Sequence, residues 1–67
     1  MKKFAVSRPN KRPFFTIEAG TIRQAIINFA EIANVGIKEK LFIEEEYASV
    51  LFHRNGKISC EIAFSLL

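Results

Sequence analysis

Apolar residues recur along this chain with two periods, and the changes of period mark its elements. In residues 2–7, Phe4 and Val6 fall on one face and Lys3 and Ala5 on the other, the alternation of a strand. Arg8-Pro9-Asn10-Lys11-Arg12-Pro13 ends it, because each proline fixes φ and lacks an N–H donor. Residues 14–18 predict a second strand, with Phe15 and Ile17 opposed to Phe14 and Thr16. The period then changes. Ile22, Ala25, Ile26, Phe29, Ala30 and Ala33 follow the i, i+3/i+4 spacing of an amphipathic helix. Arg23, Gln24, Asn28, Glu31 and Asn34 lie opposite, and Ile27 and Ile32 flank the stripe. Thr21-x-x-Gln24 predicts a capping box, in which the hydroxyl takes the amide three residues on and the Gln side chain reaches back. Asn34-Val35-Gly36 supplies the stop, since Asn and Gly tolerate left-handed backbone.

Residues 38–43 are open to either reading: Leu41-Phe42-Ile43 is too short a run to separate a strand from a helical turn. Glu44-Glu45-Glu46 follows as a solvated acidic turn or strand edge. Residues 47–54 and 57–66 read as a hairpin around Asn55-Gly56. The second arm alternates Ile58, Cys60, Ile62, Phe64 and Leu66 against Lys57, Ser59, Glu61, Ala63 and Ser65. A direct Asn-Gly turn would mix His53 and Ser49 into the apolar row. A loop of Arg54-Asn55-Gly56 with left-handed Gly56 instead pairs Phe52 with Ile58, Val50 with Cys60 and Ala48 with Ile62, so burial selects it.

The expected fold class is α+β: a small, mostly antiparallel sheet in the order β-β-α-(β)-β-β, with one amphipathic helix packed on one face. Residues 1–67 form a single domain, a basic N-terminal strand, or arm, and loop over 1–13 and a compact body over 14–67. The uncovered face carries Tyr47, Leu51, His53, Lys57 and Glu61, with Phe14 as a candidate member.

Composition sharpens this picture. A chain of 67 residues buries only about 60% of its unfolded surface, but 49% of its residues are hydrophobic and seven are Phe, enough to build a core and to leave apolar surface uncovered. Cys60 has no partner in the chain, which points to a reducing compartment; no apolar run reaches transmembrane length and no apolar core follows the basic start, so a soluble cytoplasmic protein with no membrane partner is expected. Charge is divided. Lys2, Lys3, Arg8, Lys11 and Arg12 are five of the ten Lys+Arg, whereas residues 13–67 carry five bases against seven acids. A basic arm on a mildly acidic body suits a polyanion or an acidic protein surface.

The chemistry is sparse. The chain has no Asp, one His and one Cys. General acid–base or nucleophilic chemistry needs groups within hydrogen-bond reach, and the expected register puts His53 and Cys60 on opposite faces of the sheet. No metal-ligand spacing and no glycine-rich phosphate loop is present, so no catalytic residue, metal or cofactor is expected.

The run Phe15-x-Ile17-x-Ala19-Gly20-x-Ile22-x-x-Ala25-Ile26-x-x-Phe29-Ala30-x-x-Ala33-x-Val35-x-Ile37 resembles the opening of the short N-terminal domain of secretins and TonB-dependent receptors. The likeness covers about a third of the chain and implies a docking unit. That domain is exported and continues into a second helix, whereas this chain shows no export signal and continues into a hairpin, so the chain is not assigned to the family.

The reading that follows is a non-catalytic module that docks stoichiometrically on a larger protein, in the manner of small phage or mobile-element inhibitors and adaptors of the anti-CRISPR-like class. Lys2, Lys3, Arg8, Lys11 and Arg12 would steer and form the rim, with Tyr47, Leu51, His53 and Arg54 as anchors. The alternatives are a nucleic-acid-binding accessory protein using the same basic arm, and a self-assembling homodimer.

Overall fold

The computed structural model describes residues 1–56 and 58–67. Five strands, β1 (Lys2–Ser7), β2 (Phe15–Ala19), β3 (Gly36–Ile43), β4 (Tyr47–Arg54) and β5 (Ile58–Leu66), form one antiparallel sheet in the order β2-β1-β5-β4-β3, with the helix α1 (Ile22–Ala33) between β2 and β3 in sequence. This is the expected small α+β fold, with residues 38–43 resolved as part of an edge strand. The basic N-terminal segment is no free arm over residues 2–7: β1 is held between β2 and β5, and Phe4 and Val6 are wholly buried.

The core is built from rows of cross-strand neighbours on the helix side of the sheet. Val6 stands opposite Phe15 and Phe64, Phe64 opposite Ala48, and Ala48 opposite Ile43; Phe4 stands opposite Ile17 and Leu66. Ile22, Ala25, Ile26 and Phe29 of α1 close over these rows. Phe29 is the hub: its ring centroid lies 5.4 Å from Phe52, 5.6 Å from Phe64, 6.3 Å from Phe14 and 6.5 Å from Phe15.

The helix ends follow their sequence signals with one change. Thr21 Oγ1 accepts the Gln24 amide at 3.2 Å, but the Gln24 side chain donates to Asn28 Oδ1 at 2.8 Å instead of reaching back, so only half the capping box forms. Asn34 takes the left-handed conformation (φ 56°), and Val35 N–H donates to the Ala30 carbonyl.

Two further expectations are corrected. The hairpin pairs Phe52 with Cys60, Val50 with Ile62 and Ala48 with Phe64, and Arg54 with Ile58, a shift of two residues from the expected register. A slip of two preserves which face each side chain takes. It also keeps Arg54 in the strand, leaves Asn55 and Gly56 to turn with positive φ, and sets Phe64 between Val6 and Ala48 in the core. The expected outward placement of Lys57 lies outside the described residues. Phe14 is not on the uncovered face either. It precedes β2, and its ring meets Phe29 edge-on at the helix side, where apolar area is available to it.

Edge strand β3 carries two irregularities, between Ile37 and Glu39 and between Lys40 and Phe42. Bulges and lysines of this kind blunt an edge against pairing with another chain.

Candidate functional site: an apolar groove with a basic rim

The site arises from unequal strand lengths. The last β1–β5 pair is Ser7 with Ala63, so residues 58–62 of β5 run on beyond β1 with β4 as their described neighbour. β1 stops there because Pro9 and Asn10 turn the chain away: Asn10 has φ 59°, and Lys11 N–H donates to the Arg8 carbonyl at 3.1 Å, the pattern of a type II turn with Pro in its second position. A 12-residue helix is only about 18 Å long and does not reach over the overhang.

The result is a groove of about 460 Å³. Phe52, Ile58, Cys60 and Ile62 form its floor, Phe29, Ile32, Ala33 and Val35 its helix wall, and Phe14 and Phe15 the opposite wall. Arg8, His53 and Arg54 complete its lining, and among the described residues none that lines it is a carboxylate. Several lining side chains keep a large exposed share for apolar residues: 68% for Ile58, 63% for Ile32 and 56% for Phe14. These apolar side chains lie beside the polar groups of Arg8, His53 and Arg54.

The basic residues singled out in the sequence fall into separate places. Arg8 and Arg54 share the groove rim, and Arg8, Lys11 and Arg12 surround a second depression beside Phe14. Lys2 lies at the other end of the sheet, near Thr21, Arg23, Glu44 and Glu45, and Lys3 is exposed on β1. Of the four expected anchors, Tyr47, Leu51 and His53 share one face of β4 by parity, whereas Arg54 is on the other, with Ile58 opposite it. Tyr47 packs near Phe42 (ring centroids 6.0 Å apart), and Leu51 is half-buried. Arg54 donates from Nη2 to the Ala33 carbonyl at 3.2 Å, a cation at the helix C-terminus that leaves most of its donors available. The groove residues Phe29, Ile32 and Ile58 were not read as a site from the sequence, and Phe14 was read only as a candidate for the uncovered sheet face. Their one signal was a surplus of large apolar side chains, with Ile32 off the centre of the helical stripe.

His53 has a structural setting. Gly56 N–H donates to its Nδ1 at 3.3 Å, and its ring covers Gly36, where an added Cβ would lie 2.5 Å from Nε2. Gly36→Ala is therefore expected to cost about 1 kcal/mol by displacing the ring, and to become neutral or slightly stabilising when combined with His53→Ala, since Ala suits a strand better than Gly. Urea denaturation of the two single variants and the double variant checks this; equal effects of Gly36→Ala in both backgrounds would refute it.

His53 and Cys60 alternate to opposite faces, opposite Ser59 and Phe52 respectively, and the Cys60 thiol has only a 3.9 Å approach to the Glu61 carbonyl. Among the described residues no group of His, Cys and Glu could hold a metal ion, and no helix is long and apolar enough to cross a membrane. The chain was compared with known protein families, with characterised proteins and with solved structures, and it matches none of them.

Proposed function

We propose that this chain is a non-catalytic docking module that seats an acidic, apolar segment of another protein in the groove between α1 and the β4–β5 overhang. The observation that carries this reading is the pairing of an apolar floor with a rim bearing Arg8 and Arg54 and, among the described residues, no carboxylate. Apolar burial supplies the driving force, and the rim selects the sign of the partner's charge. The groove is open, so its occupant keeps one side in water. A chain tolerates that arrangement better than a small ligand, which gains most by near-complete enclosure. Arg8 and Arg54 carry the steering proposed for the basic residues, with Lys11 and Arg12 nearby adding to the field.

A displayed library of random short peptides, panned on the full chain and on an Arg8→Glu/Arg54→Glu variant, tests this. The wild type is expected to enrich peptides that combine apolar residues with Glu or Asp, and the variant to lose them. The same enrichment from both, or none, sinks the reading. A nucleic-acid reading draws on Phe14, 56% exposed beside Arg8, Lys11 and Arg12, which resembles a stacking platform with phosphate contacts. Binding of a single-stranded oligonucleotide that falls steeply with salt, with no peptide enrichment, would establish that alternative instead.

A further inference from the structure

The groove runs beside an unused strand edge. In an antiparallel sheet the main-chain groups of successive residues point alternately to the two neighbouring strands. On β5 the phase is set by two bonds: Leu67 N–H donates to the Lys3 carbonyl, towards β1, and Leu66 N–H donates to the Glu46 carbonyl, on the β4 side. Odd-numbered residues of β5 therefore address β1 and even-numbered ones address β4. Beyond Ser7, where β1 has turned away, the N–H and C=O groups of Ser59 and Glu61 point along the line that β1 would have followed. Among the described residues, the connection over 8–14 sends them no main-chain hydrogen bond.

The side chains of these two residues are tied down on the opposite face of the sheet. Lys38 Nζ donates to Ser59 Oγ at 3.2 Å, and Ser49 Oγ donates to the Glu61 carboxylate at 2.7 Å. The edge is thus presented by a braced strand. The even-numbered neighbours Ile58, Cys60 and Ile62 turn their side chains into the groove floor.

We infer that the groove takes its occupant as an added β-strand: an extended segment of another protein, pairing with Ser59 and Glu61, with alternate apolar side chains on the floor and a carboxylate at Arg8 or Arg54. Main-chain bonds of this kind give affinity, and the alternate side chains give selectivity. The inference rests on the docking reading and specifies its geometry. A second copy of this chain fits less well, because the one exposed strand edge next to an acidic run, β3 with Glu44-Glu45-Glu46, is interrupted at two places and cannot offer an unbroken set of rungs.

Amide exchange on the free full chain tests the edge first. Ser59 and Glu61 are expected to exchange at least about tenfold faster than Cys60 and Ile62, whose amides bond to β4. Equal protection of all four would overturn the inference. The peptides recovered by panning then serve as probes. Their apolar residues are expected at every second position, N-methylation of one alternate set of peptide amides to weaken binding by at least about tenfold, and Ser59 and Glu61 to become protected on binding. Peptides that still need Arg8 and Arg54 but show helical spacing and indifference to N-methylation would overturn strand addition and leave the docking reading standing. Recovery of no acidic, apolar peptide would overturn both. A dimer mass at rising concentration, with the Ser59 and Glu61 amides protected in it, would assign the edge to a second copy and overturn the partner named here.

Discussion

Replacing Phe29 with alanine is expected to unfold most of the protein at room temperature. Phe29 is 7% exposed and its ring meets those of Phe14, Phe15, Phe52 and Phe64. Large-to-small changes at such a position remove transfer free energy and leave a cavity, together about 3–5 kcal/mol. Ring pairs add about 0.5–1.5 kcal/mol each beyond burial. A domain of this size sits near the lower end of the usual stability range, about 5 kcal/mol, so the loss consumes nearly all of it. α1 touches β2, β3, β4 and β5 and is the element that covers the inner face, so it offers no second cluster to hold the sheet closed. Far-ultraviolet circular dichroism and urea titration check this: Phe29→Ala should show little cooperative transition, and Phe29→Leu should retain one at lower urea. A loss under about 1 kcal/mol for Phe29→Ala would mean that the aromatic hub is not what holds helix to sheet.

The second large effect concerns binding without stability. Ile58→Asp is expected to leave the folding transition within about 0.5 kcal/mol of the wild type, because 68% of the Ile58 surface is already exposed. The same change places a carboxylate on the groove floor. Truncating or polarising a central contact of an interface costs about 2–4 kcal/mol, so binding of groove-dependent peptides should fall by roughly 30- to 1,000-fold. Thermal melting and fluorescence anisotropy on one preparation separate the two quantities. Unchanged affinity would remove Ile58 and the groove floor from the binding site, and a collapsed melting transition would place Ile58 in the core.

Phe29 and Ile58 line the same groove, so the core and the proposed docking site share one apolar surface. Phe29 faces the sheet from one side and the groove from the other. Its neighbours Phe14 and Phe15 complete the core only partly, since 56% and 38% of their surfaces stay in water. The apolar surplus that stabilises the sheet under α1 thus continues, uncovered, over the β4–β5 overhang.

How much of this was legible depended on whether a signal was local. The α1 stripe, the Thr21 cap and the Asn34 stop all lie within a few residues of the bonds they make, so reading them in order recovered the helix with its ends. The alternation of Phe4 with Val6, and of Ile58 through Leu66, recovered which face each strand buries, because a side chain's face depends only on its parity. The hairpin register was missed by two residues, which parity cannot detect: the choice was made by Phe64 settling between Val6 and Ala48, a partnership across three strands. The identity of residues 36–43 as a strand was likewise illegible, since Lys38, Glu39 and Lys40 carry no alternation and the pairing with β4 alone holds them extended.

Period, parity and composition were enough for α1, for β1, β2, β4 and β5 with their buried faces, for the fold class and for the sparseness of chemistry-bearing side chains. The folded chain was needed to see that β1 lies between β2 and β5, that Arg8 and Arg54 line one groove, and that Ser59 and Glu61 face a strand position beyond the end of β1. These facts depend on which strands become neighbours and where each one stops. They are set by long-range burial competing with the turn at Pro9 and Asn10, and no window of consecutive residues contains both sides of that competition.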